Sequence, residues 1–307
     1  MTHSLGFIGL GIMGKPMALN LCNAGHPLFV HARRPQMMLP LTEAGATACS
    51  SPQEVATQAE IIFTMVSDTA DVEQVILGDL GIIHGAKSGS LVIDMSTISA
   101  TATRRIATTL AERGIDMLDA PVSGGEPGAI AGTLSIMVGG KATQFDRVLP
   151  FFKSLGQNIV HIGDHGAGQI AKTCNQVLLS QTLTAVGEAL ILAKAAGVEP
   201  ANVCKALLGG FASSRILELY GPRMLSHDFQ PGFKVKLHHK DLRIAMQTAH
   251  ELGIALPGTA VVAQYLNALV GMGYGELDNG ALVLVQEQLS NVHLADSVPS
   301  SKPRDKL

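Results

Sequence analysis

The chain has 307 residues, 47% of them hydrophobic and 15% charged, with a net charge of -3 at pH 7. That length accommodates two domains, and the charge balance leaves no electrostatic footprint for nucleic acid. A mean hydropathy of +0.28 with so few charges predicts a large buried interface, and so a homodimer or homotetramer.

Residues 5–8 form an apolar run, Gly9-Leu10-Gly11-Ile12-Met13-Gly14 follows directly, and residues 15–21 have helical spacing. Further strand candidates are 28–30, 61–66, 91–95 and 117–122. Continuous apolar runs separated by helical stretches predict a parallel sheet buried on both faces. Two more runs, 134–138 and 159–162, extend it. After Gly163 the texture changes. Residues 167–196 contain no Pro and, beyond Gly168, only Gly187 as a glycine, which predicts one helix about 45 Å long. Helical patterns then continue to about Leu289, punctuated by Gly197-Val198-Glu199-Pro200 and Leu256-Pro257-Gly258.

The expected fold is an α/β Rossmann-like N-terminal domain over 1–163 and an all-α C-terminal domain over 164–294, joined by the long interdomain helix. The Ser, Pro, Lys and Asp residues of 295–307 lack periodicity and predict a disordered tail. Apolar stretches are broken by Gly, Lys, Asp or Pro before about 18 residues, so no membrane span is expected. The first strand begins too early for a signal or transit peptide. Cys22, Cys49, Cys174 and Cys204 are widely spaced and form no C-x-x-C pair, which suits reduced thiols in a cytoplasmic protein.

The glycine turn has a physical logic. A strand, G-x-G-x-x-G and a helix together make a dinucleotide-binding site. Gly9 allows the tight turn, Gly11 clears the approach of a pyrophosphate, and Gly14 lets helix and strand pack closely. The helix N-terminus offers unpaired N–H groups to the phosphates. Gly9, Leu10, Gly11, Ile12, Met13 and Gly14 are therefore candidate cofactor contacts. An NAD site would also place an acid about 20 residues further on, at the end of the second strand. That place reads Val30-His31-Ala32-Arg33-Arg34-Pro35, with no acid. Arg33 and Arg34 either hold a 2′-phosphate or are ordinary surface arginines. NADP(H) is favoured, and NAD(H) remains open.

Two further stretches carry candidate chemistry. Gly168, Lys172, Asn175 and Gln176 share one helix face. By spacing alone Lys172 is equally a surface lysine lying over apolar neighbours. Asp119-Ala120-Pro121-Val122-Ser123-Gly124-Gly125 ends a strand where open α/β sheets bind ligands. The N–H groups of Ser123, Gly124 and Gly125 could hold a carboxylate, or the stretch is a plain glycine turn. His238-His239 has no third ligand at metal spacing, so no metal is expected. There is no G-x-S-x-G elbow, which disfavours a hydrolase.

Taken in order, the G-L-G-I-M-G turn, the D-A-P-V-S-G-G loop, the G-x-x-x-K-x-x-N helix and the run Phe233-Lys234-Val235-Lys236-Leu237-His238-His239-Lys240-Asp241-Leu242 resemble the β-hydroxyacid dehydrogenase family. That family includes 3-hydroxyisobutyrate dehydrogenase and is related to 6-phosphogluconate dehydrogenase. The resemblance runs from about residue 5 to 289. Residues 120–126, 132–140, 171–176 and 209–215 are most similar to the branch that reduces a short semialdehyde. The resemblance implies a Lys172 that donates the proton and an Asn175 that orients the substrate. It implies a carboxylate clamp at Ser123, Gly124 and Gly125 with Gln176 nearby, and Val66, Thr97 and Lys240 beside the cofactor. The substrate implied is a small carboxylate-bearing aldehyde or hydroxyacid. A lysine ordinarily carries its proton at neutral pH, which suits a donor to the oxygen left by hydride transfer. A silent dinucleotide-binding module would have no need of Lys172 and Asn175 together.

Overall fold

The computed structural model describes residues 3–295, so the expected disordered tail lies, beyond Ala295, outside the described residues. The chain divides into two compact units at the Lys172/Thr173 junction.

In the first unit β1 (Leu5–Ile8), α1 (Gly14–Asn23), β2 (Leu28–His31), α2 (Leu39–Glu43), β3 (Thr47–Ala48), α3 (Pro52–Gln58), β4 (Ile61–Thr64), α4 (Thr69–Leu77), β5 (Leu91–Asp94), α5 (Ala100–Ala111) and β6 (Asp116–Asp119) alternate strand and helix. The six strands are parallel, in the order β3-β2-β1-β4-β5-β6. This is the doubly wound order of a Rossmann fold, which reverses direction beside β1. Side chains alternate between two cores. Phe7, Ile61, Phe63 and Ile93 pack on one face of the sheet, and Ile8, Ile62 and Val92 on the other. Burial on both faces explains why these strands read as unbroken apolar runs.

The sheet is completed by β7 (Val122–Ser123), α6 (Gly125–Ala131), β8 (Leu134–Gly140), α7 (Ala142–Phe152) and β9 (Gly156–Gly163). β8 runs antiparallel to β6 and β7, and β9 lies parallel on its other side. The single strand expected over 117–122 is two. Pro121 has no N–H for a ladder. Yet β6 and β7 face β8 in one continuous register, and Met137 N–H donates to Pro121 O at 3.1 Å.

The helix α8 (Ala167–Ala195) runs unbroken through the junction. The second unit continues with α9 (Pro200–Leu208), α10 (Arg215–Leu225), α11 (Val235–Leu252), α12 (Pro257–Gly271) and α13 (Val283–Ser290) around one core that includes Leu183, Leu190, Leu217, Met224, Leu242, Leu266 and Leu269. Pro200 opens α9 and Pro257 opens α12, as the punctuation predicts, and Gly253 ends α11 in the left-handed conformation at φ 66°. Gly187 is a packing requirement: Gln286 occupies the place of its side chain and donates to Thr184 O at 2.9 Å. By length and composition α8 is apolar enough to cross a membrane, with a mean hydropathy of 1.3 over its most apolar stretch, because Gly187 costs little on that scale. Half of that stretch is buried inside the protein.

Candidate active site

The parallel strands of the first unit end together on one edge. Gly9 N–H donates to His31 O (3.0 Å), Met65 N–H to Ile8 O (2.9 Å), Met95 N–H to Thr64 O (2.8 Å) and Ala120 N–H to Asp94 O (2.7 Å). The loops that leave this edge carry Gly9 to Gly14, Arg33 and Arg34, Val66, Thr97, and Ser123 to Gly125.

The three glycines of the first loop differ in their surroundings. Gly9 sits at φ 97°, and a Cβ there would run into Met65 O. A Cβ on Gly14 would collide with Gly9 O. Gly11 faces open space, with nothing within 4 Å of the Cβ position. α1 begins without a side-chain cap and without an acid in its first turn, so its N-terminal amides and partial positive charge face that space. These residues fit a pyrophosphate. Leu10 is buried in the core, so any contact it makes to a ligand comes from its backbone.

Below the loops lies a buried polar rim. Asp94 Oδ1 accepts from the Thr64 hydroxyl (2.8 Å) and from Ser96 N–H (3.1 Å), and the Ser96 hydroxyl accepts from Val66 N–H (2.9 Å). Gln169 on α8 donates to Ser96 O (2.8 Å) and accepts from Ile98 N–H (3.1 Å), gripping both sides of Thr97. Asp94 Oδ2 is buried without a hydrogen-bond partner. Burial pushes the Asp94 carboxyl up to about 6, against the hydrogen bonds from Ser96 and Thr64 that favour its ionised form.

Lys172 is 8% exposed, which removes the surface-lysine reading, and its ammonium donates to Val122 O at 2.8 Å. Its seat is therefore β7, directly before the half-buried Ser123. Gly124 (φ 135°) and Gly125 (φ 62°) then turn the chain into α6 through conformations that side-chain-bearing residues rarely adopt. Gly168 shares the Lys172 face for a packing reason: its Cβ would meet Met137 O and Asp119.

In the second unit Asn175 Nδ2 donates to Gln176 Oε1 (2.7 Å), and Gln176 Nε2 donates to Asp241 Oδ2 (2.6 Å). Asp241 Oδ1 lies 2.9 Å from the Lys240 ammonium. Gln176 is thus the link that fixes Asn175 to α11. His238 is buried, and His239 shares a 2.6 Å hydrogen bond with Asn267. Among the described residues no group of three His, Cys, Asp or Glu side chains could hold a metal ion.

Arg33 and Arg34 are exposed at the end of β2. The acid missing from β2 itself arrives from α4: Arg33 donates to Asp71 at 3.2 Å. Sequence reasoning missed this pair because its members are 38 positions apart. It also passed over Asp94, Asp119, Gln169 and Asp241 as site residues. The available signal was a carboxylate closing an otherwise apolar strand, at Asp94 and again at Asp119.

Residues 4–163 match the NAD binding domain of 6-phosphogluconate dehydrogenase. Residues 166–285 match the NAD-binding family model of NADP-dependent 3-hydroxyisobutyrate dehydrogenase. The chain belongs to the β-hydroxyacid dehydrogenase family. Among its relatives is the 2-hydroxy-3-oxopropionate reductase of Escherichia coli K12, 48% identical over 95% of this chain and 99% of that protein. The NAD-dependent L-serine dehydrogenase of Pseudomonas aeruginosa is 37% identical over 89% of this chain and 94% of that protein. A solved structure of 3-hydroxyisobutyrate dehydrogenase from Mycobacterium tuberculosis with L-serine superposes with a TM-score of 0.87 at 30% identity, covering 93% of this chain and 99% of that one.

The Asp94 site of this dehydrogenase gives a pH prediction. Its carboxyl titrates near 6 when folded and near 4 when unfolded. The folded state binds the extra proton between those values, so its stability falls as pH rises through the window, by about 3 kcal/mol in all. Asp94→Asn cannot titrate. Urea unfolding at pH 4 and pH 7 should show the variant gaining on the parent protein by that order. An unchanged difference between the two pH values would contradict the assignment.

Proposed function

We propose that the protein reduces 2-hydroxy-3-oxopropanoate (tartronate semialdehyde) to D-glycerate, with NADPH preferred over NADH. The observation that carries the reading is Lys172, a buried ammonium held at the strand end beside Ser123 and the two glycines. The likeness to the E. coli reductase supports the choice of substrate.

A reduced nicotinamide held by the glycine turn would supply the hydride for the aldehyde carbon. Lys172 gives its proton to the aldehyde oxygen, which becomes the new hydroxyl, and its charge stabilises that oxygen while negative charge develops there. The Ser123 hydroxyl and the N–H groups of Gly124 and Gly125 take the substrate carboxylate. Asn175, held by Gln176 and Asp241, orients the substrate. The amides of Gly9 to Gly14 hold the pyrophosphate, Val66, Thr97 and Lys240 line the cofactor, and Arg33 and Arg34 meet its 2′-phosphate. The exposed Arg33–Asp71 pair contributes little stability and can give way to a phosphate.

The alternative substrate is 3-hydroxyisobutyrate or another short 3-hydroxyacid, favoured by the close superposition on a dehydrogenase of that name. A panel with NADPH separates the two: tartronate semialdehyde should exceed methylmalonate semialdehyde by at least about tenfold in kcat/KM, the discrimination available to one pocket contact. The reverse order would favour the alternative.

Replacing Lys172 by Ala should lower kcat by at least about 100-fold, within the range for a lost general acid, and leave NADPH affinity little changed. Near-normal turnover by the folded variant would remove Lys172 from the chemistry.

Steady-state kinetics with both cofactors test the arginines. A guanidinium on the 2′-phosphate corresponds to a preference for NADPH of roughly 10- to 100-fold in kcat/KM. Arg33→Asp should narrow or reverse it. Equal or better efficiency of the parent protein with NADH would refute this role.

The reading includes self-association through the second unit, where Leu178, Leu192, Phe211 and Leu289 are exposed. Light scattering at micromolar concentration should give a dimer or tetramer mass, and a monomer would contradict it.

A further inference from the structure

We infer that Asp119 is the positioning residue for Lys172: its carboxylate fastens the first turn of α8 to the end of β6, and this fastening seats the ammonium group on β7. The inference rests on the reading of Lys172 as proton donor.

The first amides of a helix have no partner within it. A Ser, Thr, Asp or Asn at the N-cap usually accepts from them. α8 has no such side chain, because the residue before it is Gly166, at φ 87°. Its cap comes from a strand 47 residues earlier. Asp119 Oδ1 accepts from Gly166 N–H at 2.7 Å, and Oδ2 accepts from Gln169 N–H at 3.0 Å. The carboxylate is fully buried, and burial raises its pKa while the two amides oppose that shift. A buried carboxylate is costly unless its oxygens are satisfied in place.

Two glycines make room for it. A Cβ on Gly139 would stand 2.6 Å and 2.8 Å from the two carboxylate oxygens, and one on Gly168 would stand 2.8 Å from Oδ2. Two elements, β8 and the start of α8, are thus shaped around this one side chain of β6.

The helix is then attached at two points. Its start is bound to Asp119, and six residues later Lys172 is bound to Val122 O. Six residues of helix rise about 9 Å. Three residues of strand, from Asp119 to Val122, span about 10 Å. The two spans are comparable, so both attachments can be made at once. Gln169 adds a second tie at the start of the helix, to Ser96 and Ile98. Loss of the Asp119 tie loosens the first turn and with it the seat of the ammonium on Val122 O.

The test uses Asp119→Asn, which keeps the shape but turns an NH2 group toward one of the two amides. Without any ligand, acetylation of Lys172 by acetic anhydride, followed by mass spectrometry, should be about tenfold faster than in the parent protein, as expected for a buried group released to solvent. An unchanged rate in a folded variant overturns the proposal. With tartronate semialdehyde and NADPH, kcat should fall about 10- to 100-fold, within the range for a misplaced general acid. In the Lys172→Ala background the same substitution should have little further effect, since both changes act through one group. An equal loss in both backgrounds overturns the coupling. Near-normal turnover of Lys172→Ala alone would instead show that the role of the lysine is wrong, while acetylation still reports whether Asp119 holds it. If Asp119→Asn does not fold, Gly139→Ala disturbs the same tie, because its Cβ would stand 2.6 Å and 2.8 Å from the two carboxylate oxygens. It should raise the acetylation rate about threefold, and no rise would count against the proposal.

Discussion

Parallel strands that end on one edge leave a row of backbone groups there that no neighbouring strand can fully satisfy. In this protein the ends of β5 and β6 on that edge are also buried, so each group there must find a partner inside the fold. Asp94, Ser96, Gln169 and Asp119 supply those partners. The Val66 loop, the Thr97 loop and the start of α8 are all fastened to this rim. A site built from backbone amides can only be as well placed as the rim beneath it.

The rim has an energetic cost. Two carboxylates, Asp94 and Asp119, are fully buried, and both have raised pKa values, chiefly through desolvation. Asp94 Oδ2 remains without a partner. The hydrophobic cores on the two sheet faces, with Phe7 stacked on Phe63 at 6.0 Å, provide the stability that lets these groups be retained. The gain is preorganisation. Dipoles and charges fixed before a ligand arrives need not reorganise during hydride and proton transfer. The second unit repeats the scheme on a smaller scale, where Asp241 holds Gln176 and Lys240. Asp278 accepts from Gly232 and Phe233 N–H at 2.9 and 3.0 Å just before α11, which carries Lys240 and Asp241.

What could be read from the sequence follows from what each signal depends on. Strands β1, β4 and β5 were legible because burial on two faces forces apolar runs. The glycine turn was legible because sterics demand glycine at fixed spacing. The long α8 was legible because it lacks breakers. The two-residue β3 is exposed and carries no pattern. The antiparallel direction of β8 was hidden because an apolar run reads alike both ways. Lys172 and Asn175 stood out as polar residues on an apolar helix. The groups that hold them did not, because Asp119, Gln169 and Asp241 meet their partners across 47 to 73 positions of chain. A resemblance between motifs carries the reacting groups forward, but the supporting contacts become visible only when the strands are laid side by side.

In the proposed reaction one edge of the sheet presents Lys172 to the reacting oxygen while Ser123, Gly124 and Gly125 hold the carboxylate. A crystal structure with NADP+ and D-glycerate tests it directly. The Lys172 ammonium should lie within hydrogen-bonding distance, about 3 Å, of the hydroxyl that hydride transfer creates, with the glycerate carboxylate on the Ser123 hydroxyl and the amides of Gly124 and Gly125. Glycerate bound with its carboxylate on Lys172, or with that hydroxyl out of reach of it, would contradict the account.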